Sequence, residues 1–102
     1  MVNKKFREEL NKYIEDQGID EDVLILDNHA YDNSVMGITA DHRLIYSYER
    51  MVQEFMKDEH CDETEAYEWL DYNTMRALPY MGERAPIVMM CSVKSLHDYY
   101  GD

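Results

Sequence analysis

Basic residues are scarce in this chain. Ten Lys and Arg stand against 22 Asp and Glu, giving a formal charge of -12 over 102 residues. Residues 13–42 hold eight carboxylates (Glu15, Asp16, Asp20, Glu21, Asp22, Asp27, Asp32, Asp41) and no Lys or Arg. Residues 49–71 hold nine more against only Arg50 and Lys57. A folded domain cannot bury so many unpaired charges, so most of them form solvated surface. That surface repels nucleic acid and anionic lipid and attracts basic protein surfaces.

Other scarcities exclude whole classes. Two cysteines, Cys61 and Cys91, make no disulfide framework. Four glycines leave no dinucleotide-binding fingerprint, phosphate-binding loop or nucleophile elbow, and the four serines sit in no triad context. The longest apolar runs, residues 23–26 and 87–91, are too short to span a bilayer. Lys4, Lys5 and Arg7 are followed by Glu8 and Glu9 rather than by an apolar stretch, so no secretory leader is expected. The expectation is an intracellular protein with reduced thiols.

What remains is enough for one folded domain. Hydrophobic residues make up 45% of the chain, which argues against global disorder despite the charge. The apolar load rests on nine Tyr and eight Met, with two Phe and one Trp. A buried Tyr needs a partner for its hydroxyl, and Met packs adaptably. A thin core follows, with some Tyr and Met at edges or contact surfaces.

Phe6, Leu10, Tyr13 and Ile14 mark one face of a helix over residues 3–16, with Gly18 as its stop. Residues 23–26 read as a strand, and residues 27–33, rich in Asn and Asp, as a loop. Residues 34–39 and 43–47 form a hairpin turning at Ala40, Asp41 and His42, and Gly37 signals a bulge or a close backbone approach. Tyr48, Met51, Val52, Phe55 and Met56 follow helical spacing, and this helix frays near residues 58–61. Asp62 and Glu65 have capping-box spacing ahead of a second acidic helix with Ala66, Tyr67 and Leu70 on its apolar face and Trp69 beside it. Residues 73–80 read as a turn-rich exit, residues 87–91 as a strand covered on both faces, and Val93, Leu96, His97 and Tyr100 as a short terminal helix or a frayed end. The layout is α+β, with a mostly antiparallel sheet of about four strands and helices on one face.

Two blocks carry a resemblance. Residues 32–39 (Asp-Asn-Ser-Val-Met-Gly-Ile-Thr) with Arg43-Leu44-Ile45-Tyr46 form the first, and residues 65–80, ending in Tyr-Asn-Thr-Met-Arg-Ala-Leu-Pro-Tyr, form the second. They resemble a family of small acidic proteins of Firmicutes genomes, their phages and mobile elements. The resemblance implies a bacterial or phage context, hence the cytoplasm of a bacterial host cell, and carries no catalytic residues. Members of that family usually have Gly after the turn Asp, where this chain has His42, so His42 is strained if the position needs positive φ.

Three candidate sites compete. Asp27, His29, Asp32 and His42 could hold a divalent metal or act as acid and base, though their spacing matches no metal signature, and the plainer reading is turn capping with His29 in water. His60, Cys61, Cys91 and His97 are spaced poorly for zinc, and Cys91 is expected to be a buried small hydrophobe. Asn73, Thr74, Arg76 and Tyr80 could bind a partner or anion. Structurally, Asn73 or Thr74 would instead end the helix and Arg76 would pair with an acid such as Asp71. No cofactor and no metal are expected.

The acid-rich helices carry the leading expectation. Nine acids over residues 49–71 give one per roughly 3.8 Å of helix rise, close to the ~3.4 Å between phosphates on a strand, so a row of them could mimic a nucleic acid. The chain is expected to be a non-enzymatic acidic protein that blocks a basic nucleic-acid-handling protein, such as a nuclease, in the manner of an anti-CRISPR or anti-restriction inhibitor. Glu54, Asp58, Glu59, Asp62, Glu63, Glu65 and Glu68 are its expected contacts, with Tyr or Met anchors. Direct nucleic-acid or membrane binding is not expected. The alternatives are a small metal-dependent or acid–base enzyme using Asp27, His29, Asp32 and His42, and a homo-oligomeric (dimeric) accessory protein.

Overall fold

In the computed structural model, which describes residues 4–20, 22–26 and 29–101, the elements begin with helix α1, Lys4–Asp16. A 3₁₀ helix, His29–Ser34, leads into strands β1, Val35–Ile38, and β2, Leu44–Ser47. Helices α2, Tyr48–Glu59, and α3, Glu63–Trp69, follow, and α3 continues without a break into a π-helical turn, Leu70–Met75. A second 3₁₀ helix, Leu78–Met81, precedes strand β3, Ile87–Met89, and helix α4, Val93–Tyr100. The α+β class holds.

The sheet is smaller and more mixed than the sequence suggests. Among the described residues it has three strands in the order β1-β2-β3. β1 and β2 are antiparallel, but β3 joins β2 in parallel, with Ile45, Tyr46 and Ser47 facing Ile87, Val88 and Met89. The parallel pairing arises because β2 ends in α2: the chain crosses through both acidic helices before it returns. The expected strand at residues 23–26 is not one. That run makes no ladder, and its Leu26 N–H donates instead to the Tyr46 hydroxyl at 3.0 Å. A side chain thus supplies the partner that a neighbouring strand would have given.

The hairpin bears out two sequence readings. The register slips between Val35 and Gly37, which is the bulge that Gly37 signalled. Thr39 and Arg43 close a three-residue loop (Thr39 N–H to Arg43 C=O, 2.8 Å), and His42 sits at its end with φ +63°. A left-handed third residue matches the strand twist in such loops, and Gly would adopt it freely. Thr39 Oγ1 accepts from the Arg43 N–H at 3.0 Å and donates to the Asp41 carboxylate, which holds that carboxyl below its usual range.

Local capping sets the helix ends. Ser47 and Asp62 cap α2 and α3 by accepting from the backbone N–H of Arg50 (3.3 Å) and Glu65 (2.9 Å). α2 stops at His60, a left-handed residue with φ +53°, where the His60 and Cys61 N–H groups both turn back to the Met56 carbonyl. The core lies where α2, α3 and β2 meet the first 3₁₀ helix. Leu44, Met51, Val52, Phe55, Ala66 and Leu70 are buried there beside Tyr31, Tyr46 and Tyr48. Tyr48 donates to Asp71 at 2.7 Å. The other described tyrosines are exposed, and the 14.6 Å radius of gyration exceeds the ~13 Å typical of a chain this long, as a thin core requires.

Further expectations are corrected. Residues 29–34 are helical rather than loop, because Asp32 is drawn inward: its buried carboxylate accepts from Arg7 Nε at 2.7 Å and Nη2 at 2.9 Å, tying α1 to the core. The helix does not end at Asn73 or Thr74 but widens into the π turn, where the Asn73 side-chain amide meets the Trp69 carbonyl at 3.0 Å. Arg76 lies over the Tyr72 ring, 5.0 Å from its centroid, since Asp71 is taken by Tyr48. β3 is short and half-buried. Cys91 lies beyond its end and is exposed, because Ser92 already caps α4 there.

Candidate protein-binding surface

The seven carboxylates expected to contact a partner divide into groups. α3 is short, and a helix turns about 100° per residue, so Glu63, Glu65 and Glu68 leave it in three directions around its exposed side. Glu59 and Glu65 line a shallow pocket of about 300 Å3 with Phe55, Cys61 and Trp69, and Asp62 also acts on the Cys61 thiol. Burial, with Glu65, Asp62 and Glu59 adding to it, pushes that thiol up, so it stays protonated and is not an activated nucleophile. Glu63 sits on the other flank beside Tyr67, whose hydroxyl is pushed up by burial first and then by Glu63 and Glu49. Glu54 and Asp58 are one turn apart on α2, on a face shared with Arg50 and Lys57. On α3 the acids therefore spread around the exposed side of the helix, while Glu54, Asp58 and Glu59 belong to α2.

Two aromatic stacks fix this helix. Tyr67 stacks on Tyr48 with ring centroids 5.8 Å apart, and Trp69 stacks on Phe55 at 4.9 Å. The stacks lie on opposite flanks of α3, and each leaves its outer ring about 40% exposed. Tyr67 and Trp69 are thus held rigid and still present a free face among carboxylates. Periodicity alone assigned them to the apolar face or its edge. Their exposure follows from the small size of the core that Ala66 and Leu70 fill.

Beyond Trp69 the same flank opens into a cleft of about 330 Å3. Asn73, Thr74 and Ala77 form one wall and Ile25, Leu26 and Met81 the other, with Tyr31 also lining it. The π turn makes this wall, and sequence reasoning missed it. Such turns recur at functional sites, but an Asn-Thr pair looks like a stop signal when only local propensity is weighed.

Two residues of the alternative site lie among the described ones, Asp32 and His42. Asp32 is committed to Arg7, and His42 serves the hairpin turn. Asp27 and the His29 side chain lie outside the described residues. Cys61 lines the pocket under α3, whereas Cys91 lines another near α4. Among the described residues no group of three or more His, Cys, Asp or Glu could hold a metal ion, and no helix is long and apolar enough to cross a membrane. No family model, curated protein or solved structure matches the chain.

Proposed function

We propose that the chain is a non-enzymatic acidic protein that binds and blocks a basic, nucleic-acid-handling protein, in the manner of an anti-CRISPR or anti-restriction inhibitor. One observation carries the reading: Tyr67 and Trp69, immobilised by stacking and exposed, share a helix with Glu63, Glu65 and Glu68. Rigid aromatics supply local affinity, and the surrounding charges supply approach rate and partner choice. Residues 58–75 contain seven carboxylates and no Lys or Arg, so nothing on this stretch repels a basic surface. The resemblance of the two sequence blocks to acidic proteins of phages and mobile elements supports the choice of a nuclease-type target.

The test is affinity capture from a bacterial lysate with the parent chain and with a Glu63→Lys, Glu65→Lys, Glu68→Lys variant. The expected result is a basic nucleic-acid-binding protein retained at low salt and released as salt rises, lost with the variant, and inhibited by the parent chain. Exposed charges are screened beyond about 8 Å at physiological ionic strength and about 3 Å at 1 M. Capture unaffected by both salt and charge reversal would refute the reading.

A second reading, self-association, is favoured by α4, where Val93, Leu96, Tyr99 and Tyr100 are exposed. Residues 84–101 carry Arg84 and Lys94 against Asp98, so copies of this chain would meet there with little repulsion. Sedimentation at micromolar concentration, parent against Leu96→Glu, decides it.

A further inference from the structure

The acidic pocket and the apolar cleft adjoin at Trp69, which lines both, and the two together are called the groove. Glu65, Trp69 and Asn73 recur every four residues along α3 and the π turn, and Cys61 before them and Ala77 after them keep the same spacing. One end is acidic, through Glu59 and Glu65, and the other is apolar, through Leu26, Ala77 and Met81. Trp69 stands between them, stacked on Phe55 yet 41% exposed as a residue.

We infer that this groove takes a short extended segment of the partner, with an arginine at the acidic end and a large apolar side chain four residues away. This rests on the acidic-binder reading and names the motif that the surface selects. The charge of the Glu59–Glu65 end fixes the sign of the first side chain. Arginine is preferred to lysine because its planar guanidinium can pair with carboxylates and lie on an indole face at once. Glu65 of the acidic pocket and Thr74 of the apolar cleft are nine residues apart along α3 and the π turn, roughly 13 Å at helical rise, which four residues of extended chain cover at about 3.3 Å each. Side chains alternate sides in an extended chain, so positions i and i+4 point the same way. The cleft volume is at the low end of pockets that enclose small ligands, about 300–1,000 Å3, and suits a single side chain rather than a cofactor.

Trp69 is the single Trp of the chain, so its emission reports the groove directly. The probe is the peptide acetyl-Arg-Ser-Gly-Ser-Phe-amide, titrated against the intact chain. The expected result is a saturable change in emission, with affinity falling about tenfold when the Phe becomes Ala and at least as far when the Arg becomes Glu. The Ala77→Leu variant, which fills the apolar end at an exposed position, should lose the preference for Phe and keep that for Arg. Glu59→Gln with Glu65→Gln should do the reverse. Circular dichroism confirms that each variant is folded. The same titration with a poly-lysine peptide separates the two levels of argument. If poly-lysine binds in a salt-sensitive way and the Arg-x-x-x-Phe peptide binds no differently from its Ala form, the groove is refuted and the acidic surface stands. If neither binds, both are refuted.

Discussion

Replacing Arg7 by Ala should detach α1 and cost about 3 kcal/mol. α1 has no fully buried residue; only Phe6 and Leu10 pack against the core, each half-buried. Its firm attachment is the two-pronged pairing of Arg7 with Asp32, at 2.7 and 2.9 Å. The Asp32 side chain is wholly shielded while that of Arg7 is 28% exposed. The hydrogen bond to Asp32, before any other cause, holds the guanidinium pKa above its ordinary value. Removing one member of a buried pair costs ~3–5 kcal/mol, because the other charge is stranded. Water can reach the Arg7 side of this pair, which puts the loss at the lower end. For a domain of this size each kcal/mol shifts Tm by ~4–8 °C, so a fall of roughly 12–24 °C is expected. Asp32→Asn should cost less, about 1–2 kcal/mol, since the guanidinium left behind can hydrate. Guanidinium chloride unfolding followed by Trp69 emission measures both, and hydrogen exchange in α1 locates the effect. A loss below 1 kcal/mol for Arg7→Ala, or a larger loss for Asp32→Asn, would refute the reasoning.

Other outcomes are expected. Burial, chiefly, pushes the Tyr46 hydroxyl up to about 12 and raises Tyr48 as well. Below pH 10 both states keep the Tyr46 proton and stability is unchanged. Between pH 10 and 12 the unfolded chain loses it first, so Tyr46 alone lowers stability by ~1.4 kcal/mol per unit, about 3 kcal/mol in all, and Tyr48 adds to the fall. Denaturant titrations from pH 9 to 12 should show this decline, weakened in Tyr46→Phe, which itself costs about 1 kcal/mol at neutral pH by stranding the Leu26 N–H. His42→Gly and His60→Gly each relieve a left-handed residue and should raise stability by about 0.5–1 kcal/mol in thermal melts. Glu68→Lys, between Glu65 and Asp71 on the outer side of α3, should stabilise the chain by a few tenths of a kcal/mol and weaken partner capture. A Glu68→Lys variant that captured as well as the parent would remove Glu68 from the interface.

How much the sequence revealed depended on how local each cause was. Capping by Asp62, the helix from Tyr48 and the bulge at Gly37 all follow from residues within a turn of one another, and all were legible, whereas the left-handed His42 was anticipated only through the resemblance, which has Gly there. The parallel pairing of β3 was not, because nothing near residues 87–89 encodes which edge of β2 they meet. Asp32 is similar: an Asn- and Asp-rich stretch reads as a turn until Arg7, 25 residues away, makes burial of the carboxylate tolerable. The acidic helix was legible as a charged surface. The groove beside it was not, since it depends on the π turn and on Ile25 and Leu26 lying outside the sheet.

The parallel β2–β3 pairing also has a bearing on synthesis at the ribosome. The hairpin of β1 and β2 can close as soon as residue 47 emerges, but one edge of β2 then stays bare until residues 87–89 follow. During that interval the Leu44–Ser47 edge offers unpaired backbone groups to any neighbouring chain. The intervening residues 48–86 are the ones densest in carboxylates, so nascent copies repel one another through the period when sticking together would do most harm.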